Sequence, residues 1–519
     1  MKVVAIIQAR TGSTRLPGKV LKPLLGEPLL VRMLHRVKGA KRVDAIVVAT
    51  SDKPQDDGIE RVALVAGARV FRGSEDDVLD RVYRAAKEAG AEVAVCLTGD
   101  CVLHDPRVID EAVGHFIAAG DPLAYSGTPQ NYPEGLDTDI FYMSALKEAA
   151  ARARLPSERE HLAQYFKNRP ERFHGLPWSV GARDDAAMHW SVDTPQDFAF
   201  VTKVFEQLYP TNPMFGKDDI LALLERQPEL LDINKGGTGY EGLAKTKKKD
   251  EEWKRTIKKL VLGTVELGLE YGIDRQARPA QDEAFAILDA ARAAGIDTFD
   301  TASSYGNAEE ILGEWIAARD CADKVNLISK GSGRADIEQS LRRLGLKVLD
   351  GYLLHNSKGS FAELQEAKRD GLVKHIGASV YKPEEVRGEF EYVQAPYNAL
   401  DRRFEKAQDT VVFARSPFLQ GLLLMSPADV PPHLLHARPY LEQFIAIANH
   451  YKLSQLQASL LFALHGNAQY VVFGVKRLAQ LEEILEAAKT PVPDGFIDAV
   501  RAGIQNVDEA VINPSVWKR

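Results

Sequence analysis

A basic loop containing two glycines follows the first apolar segment of the chain. Residues 4–7 are apolar, and the loop after them carries Arg10, Arg15 and Lys19 together with Gly12, Ser13 and Gly18. Small residues let backbone N–H groups approach phosphate oxygens, and the cations neutralise the phosphate charge. The Gly-Lys-Ser/Thr sequence of a Walker loop is missing. The pattern predicts a nucleoside triphosphate site of another type; the alternative is a basic surface turn.

Two aspartates could hold a Mg²⁺ ion beside such a triphosphate. Asp100 follows a β-rich run and Gly99, and Asp193 lies in a polar sequence, residues 190–197. Carboxylates are preferred Mg²⁺ ligands, and the ion would neutralise the triphosphate and align its α-phosphate. We assign Asp100 and Asp193 to this metal site and Asp197 to a helix N-terminus. Helix capping is the alternative role for each aspartate.

Four other residues could transfer a proton to a carbonyl group. Asp300, Lys330 and His355 each stand at the end of a successive strand candidate, and Tyr305 lies five residues beyond Asp300. A tyrosine can deliver a proton to a carbonyl oxygen if a nearby cation lowers its pKa, and an aspartate can orient that lysine. Each residue alone could be an ordinary surface or capping residue, but their joint order favours a catalytic group.

The first half of the chain must position the basic loop and its aspartates. Strand candidates at 2–8, 44–50, 68–71 and 93–98 alternate with amphipathic segments such as 77–88. This alternation predicts an α/β domain with a doubly wound, Rossmann-like sheet, whose ligands bind at the carboxyl ends of the strands.

A second and more regular alternation must position the proton-transfer residues. Its eight strand candidates are 260–265, 297–300, 325–329, 349–354, 373–378, 392–395, 411–414 and 470–473. Eight strand–helix units of this length predict a (β/α)8 TIM barrel, in which catalytic residues come from the carboxyl ends of successive strands.

The two halves are predicted to be separate domains. Residues 236–256 include a glycine-rich stretch and a run of charges, which indicates a solvated linker between domains at 1–235 and 257–519. A chain of 519 residues is also too long for one ordinary core.

The composition is that of a soluble globular protein. It is 45% hydrophobic and 27% charged, with a net charge of −7, so neither a nucleic-acid nor a membrane partner is expected. We predict no signal peptide and no membrane span, and a cytoplasmic location. The three cysteines, Cys96, Cys101 and Cys321, have no metal-ligand spacing. The oligomeric state is left open, a homo-oligomer included.

The first half resembles the cytidylyltransferases that activate acidic sugars, most closely the spore-coat polysaccharide type and the CMP-Kdo and CMP-nonulosonate synthetases. The basic loop carries this resemblance, together with residues 71–81, 96–100, 132–139, 158–161 and 190–197. It implies CTP as the co-substrate and transfer of cytidylate with release of pyrophosphate. It also implies that Arg10, Arg15 and Lys19 bind the triphosphate with support from Ser13.

Further contacts have alternatives in ordinary surface roles. Arg72 and Asp77 are predicted to contact base or sugar, the alternative being a capped helix start with solvated charges. Arg159 and His161 are candidates for binding the substrate carboxylate, the alternative being a solvated helix face.

From about residue 257 to 517 the chain resembles an aldo/keto reductase. The resemblance implies that Tyr305 is the general acid, that Lys330 and Asp300 tune it, and that His355 orients the carbonyl. It also implies cofactor contacts, with Gln394 on the nicotinamide carboxamide, Tyr397 stacked on the ring, and Ser379 and Ser416 nearby. The family's Ser-Asn pair is Ser379-Val380 here: Ser379 keeps a hydrogen-bond donor, whereas Val380 cannot hydrogen-bond through its side chain.

The cofactor phosphate is predicted to bind after the last strand. Gly474 ends this strand candidate, and Lys476 and Arg477 follow it. Phosphate groups bind at this position of many barrels, and two cations there favour NADPH over NADH.

Together the halves predict a bifunctional enzyme of surface-glycan biosynthesis. One half would join cytidylate to a sugar acid, and the other would reduce, or help epimerise, a carbonyl of that sugar or its precursor. One alternative is synthesis of a CDP-alditol from an alditol phosphate. Another, of a different class, makes the barrel a non-catalytic scaffold or regulatory module.

Overall fold

The computed structural model describes residues 1–127, 131–177, 184–235, 241–273, 277–405 and 410–517. The chain divides into two compact units, Met1–Glu251 and Glu252–Arg519.

The first unit contains a seven-stranded mixed sheet in the order β5-β4-β1-β6-β8-β7-β9. Strands β5, β4, β1 and β6 are parallel, whereas β8 is antiparallel to both β6 and β7. The strands of this unit are β1 Val3–Gln8, β2 Pro23–Leu24, β3 Glu27–Pro28, β4 Ala45–Ser51, β5 Arg69–Gly73, β6 Val93–Thr98, β7 Ala124–Ser126, β8 Asp139–Tyr142 and β9 His174–Leu176.

Helices cover both faces of this sheet, and a separate apolar core lies on each face. The helices are α1 Leu29–Val37, α2 Asp57–Val65, α3 Val78–Glu88, α4 Pro106–Ala119, α5 Met143–Arg152, α6 Pro156–Glu160, α7 Gln164–Lys167, α8 Pro195–Leu208 and α9 Lys217–Arg226. A further helix, α10 Glu241–Lys259, begins in this unit, and its residues 252–259 belong to the second unit. The doubly wound α/β fold predicted from the sequence is confirmed.

The central strands bring the predicted phosphate loop and Asp100 to one edge of the sheet. Strand β1 is apolar and buried from Val3 to Ile7 because helices pack on both of its faces. It pairs in parallel with β6, with Gln8 opposite Thr98. The loop after β1 and the residues after β6 therefore leave the sheet side by side.

Residues that were predicted to be a solvated linker include a helix. Residues 236–240 lie outside the described residues, and α10 occupies 241–259. Two of its side chains are tied to the first unit: Asp250 accepts hydrogen bonds from Ser157 N at 2.9 Å and Oγ at 2.6 Å, and Thr246 Oγ1 lies 3.0 Å from His161 Nε2. The limits of the linker and of the two domains stay a prediction.

The second unit is a closed barrel of eight parallel strands, in sequence order from β10 to β17. All eight predicted strands are present: β10 Leu260–Gly263, β11 Thr298–Asp300, β12 Asn326–Gly331, β13 Leu349–Leu354, β14 Val373–Ser379, β15 Tyr392–Pro396, β16 Val411–Arg415 and β17 Tyr470–Gly474. The predicted (β/α)8 fold is confirmed.

Helices surround this barrel, and apolar side chains fill its interior. The helices are α11 Val265–Gly268, α12 Gln281–Ala294, α13 Ala308–Arg319, α14 Arg334–Leu344, α15 Phe361–Arg369, α16 Arg438–His450, α17 Gln455–Leu464, α18 Leu478–Ala487, α19 Phe496–Gly503 and α20 Glu509–Ile512. One buried cluster joins Val261, Ile328, Leu353, Phe413 and Val472 from five different strands. Polar chemistry is thereby left to the carboxyl ends of the strands.

Within the ranges given above, no helix combines the length and the apolar character needed to cross a membrane.

Candidate active sites

The loop after β1 is a compact turn held by its own backbone. Gly18 has φ +66°, a conformation that favours glycine, and its N–H donates to Thr11 O at 3.0 Å. Leu16 N–H donates to Ser13 Oγ at 3.3 Å, and Thr11 N–H donates to Asp56 Oδ1 at 2.8 Å. Ser13 therefore supports the loop, and its predicted contact with a triphosphate stays a prediction.

Lys19 joins the two predicted metal-binding aspartates. Its Nζ lies 2.5 Å from Asp100 Oδ2 and 2.9 Å from Asp193 Oδ1, and Arg15 Nη2 lies 3.0 Å from the same Asp193 oxygen. The structure thus brings two residues of the loop, Arg15 and Lys19, together with Asp100 and Asp193, which are distant from the loop in sequence.

A glycine allows this approach. Gly99 N–H donates to Gln8 O at 2.7 Å, and a Cβ on Gly99 would lie only 2.7 Å from that oxygen. Glycine is required here, so Asp100 can leave β6 directly beside the phosphate loop.

The charges of this cluster stabilise one another. Burial alone would raise the pKa of Asp100, but the Lys19 ammonium lowers that pKa below its usual value. Burial would lower the pKa of Lys19, but the carboxylates of Asp100 and Asp193 raise it. Lys19 is therefore held as an ammonium and Asp100 as a carboxylate at neutral pH.

The two carboxylates fit a shared cation, because they already converge on one ammonium group. Among the residues that the structure describes, no cluster of three or more His, Cys, Asp or Glu side chains is arranged to hold a metal. Any Mg²⁺ at Asp100 and Asp193 would therefore need further ligands from phosphate oxygens or water, as is usual for this ion. The metal stays a prediction.

His189 is a cation of this site that the sequence analysis missed. Its Nδ1 lies 2.8 Å from Glu134, and its Nε2 lies 3.6 Å from Asp197 and 3.9 Å from Asp193. Hydrogen bonds to Asp197 and Glu134 raise the pKa of His189 to about 10. Asp197 also accepts from Thr194 N at 2.7 Å in the N-terminal box of α8, as predicted for a helix N-terminal residue. The only sequence signal was the position of His189 immediately before the polar segment 190–197.

The structure does not join the remaining predicted nucleotide contacts to this cluster. Arg10 is exposed. The pKa of Arg81 is lowered mainly by the burial of Arg81 itself and further by the positive charge of Arg10. Arg72 Nη1 lies 2.6 Å from Asp57 and 2.8 Å from Glu60, while its other nitrogens donate to backbone carbonyls. Arg72 is thus engaged in fixing the start of α2, and its nucleotide role stays a prediction.

The predicted acceptor-binding cations also have protein partners. Arg159 Nη2 lies 2.5 Å from Asp77 Oδ2, and Asp77 caps α3 by accepting from Asp80 N at 3.0 Å. His161 contacts Thr246, and burial lowers its pKa. The capping alternative agrees with the contacts of Asp77, whereas Arg159 and His161 are half-buried and paired rather than part of a solvated helix face. Substrate binding by Arg159 and His161 stays a prediction.

In the barrel, the four predicted proton-transfer residues meet at the mouth. Lys330 Nζ lies 2.7 Å from Asp300 Oδ2, 2.9 Å from Thr301 O and 3.3 Å from the Tyr305 hydroxyl. The Tyr305 and His355 rings meet edge to face, with centroids 5.9 Å apart. Lys330 is only 1% exposed, so its ammonium acts on the tyrosine in a shielded environment.

The imidazole of His355 is held in its neutral form. Burial, followed by the positive charges of Lys330 and Arg415, lowers the pKa of His355 to about 4. Its Nδ1 lies 3.2 Å from Ser304 Oγ. A neutral imidazole can donate one hydrogen bond to a carbonyl oxygen while its other nitrogen is engaged.

We expect His355 to remain neutral between pH 5.5 and 7.5. Because its pKa is lowered, the proton is bound only near pH 4 and below, whereas an ordinary histidine titrates near pH 6.5. Its resonance in an NMR titration of ring-labelled protein should be constant over this range, with assignment from the signal lost in His355→Gln. A midpoint near pH 6.5 would contradict the described environment.

A cavity of about 460 Å³ opens at this end of the barrel. Asp300, Tyr305 and His355 line it, together with the predicted cofactor residues Ser379, Gln394, Ser416, Gly474 and Lys476. Gln394 Nε2 donates to Asp300 Oδ1 at 2.7 Å, and Ser379 Oγ lies 3.5 Å from Gln394 Oε1. The cavity therefore brings predicted cofactor and catalytic residues together, as a nicotinamide site requires.

Two predicted cofactor residues are not brought into this cavity. Tyr397 is 3% exposed, and its ring stacks on Phe462 with centroids 5.6 Å apart. Arg477 is exposed at the N-cap of α18 and does not line the cavity. Tyr271, Tyr381, Glu266 and Arg415 do line it, although the sequence analysis gave them no role.

Comparisons with known protein families agree with this division. The cytidylyltransferase family matches residues 4–209, and the aldo/keto reductase family matches residues 259–504.

Two relatives match this chain over 95% of their own length, and a third matches it over 67%. An uncharacterised protein of Methanocaldococcus jannaschii is 35% identical over 45% of this chain and 95% of its own length. The spore coat polysaccharide biosynthesis protein SpsF of Bacillus subtilis is 32% identical over 44% of this chain and 95% of its own length. The 3-deoxy-manno-octulosonate cytidylyltransferase of Geobacter sulfurreducens is 33% identical over 34% of this chain and 67% of its own length.

Proposed function

We propose that this chain is a bifunctional enzyme of surface-glycan biosynthesis. The chain belongs to the cytidylyltransferase family through residues 4–209 and to the aldo/keto reductase family through residues 259–504. Its first unit transfers cytidylate from CTP to a sugar acid. Its second unit uses NADPH to reduce a carbonyl of that sugar or its precursor, or to help epimerise it.

In the first unit, the cluster around Lys19 carries the proposal. Lys19 and Arg15 bind the triphosphate, and the exposed Arg10 adds a further positive charge at the edge of the loop. A hydroxyl oxygen of the acceptor attacks the α-phosphorus in line and loses its proton to water, the bond from the α-phosphorus to the bridging oxygen breaks, and pyrophosphate leaves. Asp100 and Asp193 would hold Mg²⁺, which neutralises phosphate charge when bound. The chain contributes mainly position and charge.

In the barrel, the group Asp300, Tyr305, Lys330 and His355 carries the proposal. Lys476 would hold the phosphate and Gln394 the nicotinamide of NADPH, which would supply a hydride when bound. Tyr305 donates its hydroxyl proton to the carbonyl oxygen, because Lys330, held by Asp300 at 2.7 Å, stabilises the phenolate. His355 donates a hydrogen bond to that oxygen. A scaffold or regulatory module would have no need of this complete proton-donating group.

The relatives support an acidic sugar as the acceptor. One is named for 3-deoxy-manno-octulosonate and another for spore coat polysaccharide biosynthesis. We therefore propose a Kdo-like or nonulosonic acid, whose hydroxyl beside the carboxylate attacks the α-phosphate. A CDP-alditol pathway would instead use a phosphate as the nucleophile.

Pyrophosphate release tests the proposed acceptor. The protein is incubated with CTP, Mg²⁺ and either 3-deoxy-manno-octulosonate, a nonulosonic acid or an alditol phosphate. We expect release with a sugar acid and with CTP in preference to UTP. Release with the alditol phosphate alone would replace the proposal with its CDP-alditol alternative, and no release with any acceptor would overturn it.

A further inference from the structure

Arg415 places an incompletely bonded guanidinium in the barrel cavity. It ends β16 and lines the cavity together with Tyr305 and His355. Its Nη2 donates to Val380 O at 3.3 Å, and the guanidinium lies 4.2 Å from the centre of the Tyr381 ring. Its Nε is buried and makes no hydrogen bond within the described part of the chain. An unsatisfied buried donor is costly, so this geometry favours an external acceptor.

Lys330 has a carboxylate partner that balances its charge, whereas Arg415 has none among the described residues. Lys330 lies 2.7 Å from Asp300, whereas no carboxylate in the described ranges lies within ion-pair distance of Arg415. Glu266 lines the same cavity, but it packs beside Gly474 at the end of β17, where a Cβ would lie 3.3 Å from its carboxyl carbon. Among the described residues, the guanidinium of Arg415 therefore has no anionic partner at the mouth.

This charge acts on the carbonyl site. The positive charge of Arg415 contributes, after burial and Lys330, to the lowered pKa of His355. A group bound by Arg415 would therefore lie in the same part of the cavity as a carbonyl held by His355 and Tyr305. This favours a substrate over a remote part of the cofactor as the source of the anion.

We propose that Arg415 is a specificity-determining residue that binds a carboxylate or phosphate group of the carbonyl substrate. This inference rests on the proposed reductase function and adds that the substrate is an anionic aldehyde or ketone. A guanidinium presents parallel N–H groups that match both anions, and its stacking on Tyr381 restricts its orientation. Binding at two points, the anion and the carbonyl, would align the carbonyl carbon for hydride transfer.

Matched pairs of substrates test the inference on the full chain with NADPH. Glyceraldehyde 3-phosphate is compared with glyceraldehyde, and succinic semialdehyde with butanal, as ratios of kcat/KM. We expect the charged member of at least one pair to be favoured by at least tenfold. The pair with the larger ratio identifies phosphate or carboxylate as the anion.

Variants assign that preference to Arg415. In Arg415→Gln the ratio should fall about tenfold or more, mainly through KM of the anionic substrate, since one charge-assisted contact contributes about 1.5–3 kcal/mol. Arg415→Lys should retain part of the ratio. Arg387→Gln is the matched control, because that exposed guanidinium lies over Phe390 outside the cavity lining, and its ratio should equal that of the parent.

Three results would overturn parts of this account in distinguishable ways. Equal use of charged and neutral substrates by the parent protein would reject the anion site while leaving the reductase function intact. A tenfold weaker affinity of Arg415→Gln for NADPH, with kcat/KM reduced equally for the charged and the neutral substrate of a pair, would show that Arg415 binds the cofactor. Failure to oxidise NADPH with any carbonyl compound would reject the proposed function itself.

Discussion

Replacing Lys19 by methionine is expected to reduce CTP-dependent pyrophosphate release by about 10²–10³-fold, the usual effect of removing one preorganised transition-state donor. Lys19 lies within hydrogen-bond distance of both Asp100 and Asp193. Its loss removes a cation from the triphosphate and leaves two partly buried carboxylates facing each other. The measurement is kcat/KM for CTP at saturating acceptor.

The control for this prediction is Lys22→Met, in the same loop region. Lys22 lies 6.0 Å from the Phe198 ring and contacts neither aspartate, so its removal should leave pyrophosphate release within about twofold of the parent. Thermal unfolding of both variants checks the fold. A correctly folded Lys19→Met protein with parental activity would show that the cluster is structural and that the triphosphate binds elsewhere.

Replacing Tyr305 by phenylalanine is expected to reduce carbonyl reduction by about 10²-fold or more, the usual contribution of a general acid. The change removes only the hydroxyl that lies 3.3 Å from Lys330 Nζ. NADPH binding, followed by fluorescence, should be nearly unchanged, because the phenyl ring still fills its place. The loss should appear in kcat with every carbonyl substrate.

Tyr440→Phe is the matched control for the barrel. The Tyr440 hydroxyl lies 3.4 Å from Asn506 O and does not line the cavity, so its removal should not affect reduction. If Tyr305→Phe reduced its substrate at the parental rate, the catalytic group would be wrongly assigned and the barrel would be better described as a binding or regulatory module.

The sequence predicted the elements whose patterns are strong and local. All eight barrel strands are apolar runs between helical segments. The strand that contains Lys330 and the strand that ends just before His355 both lie where they were predicted. The short strands β7, β8 and β9 were not predicted. Each spans only three or four residues, and their pairing depends on contacts with distant parts of the sheet rather than on a local pattern.

Side-chain partners were harder to predict than backbone positions. Arg72 stands at the end of a strand near the expected site, yet carboxylates of α2 engage it. Tyr397 follows β15 as expected, but its ring stacks on Phe462 outside the cavity. His189 directly precedes the segment 190–197, and Arg415 begins a stretch, residues 415–421, that resembles the aldo/keto reductase family. Only the folded chain shows that His189 lies beside Asp193 and that Arg415 lines the cavity with His355.

The side-chain contacts of the predicted linker were also not evident from the sequence. Its charges and glycines indicated a solvated segment, but the spacing of Thr246 and Asp250 places both on one side of α10, where they contact His161 and Ser157. Composition alone does not reveal such a contact, because it depends on polar groups that a distant helix presents.

The central claim is that one chain carries two separate catalytic sites, and a crossed assay of single variants tests it most directly. Pyrophosphate release from CTP with 3-deoxy-manno-octulosonate and NADPH oxidation with glyceraldehyde 3-phosphate are measured on the parent, Lys19→Met and Tyr305→Phe proteins. The account predicts that the parent performs both reactions, that Lys19→Met loses only the first and that Tyr305→Phe loses only the second. Absence of either reaction in the parent, or loss of both reactions in either correctly folded variant, would contradict it.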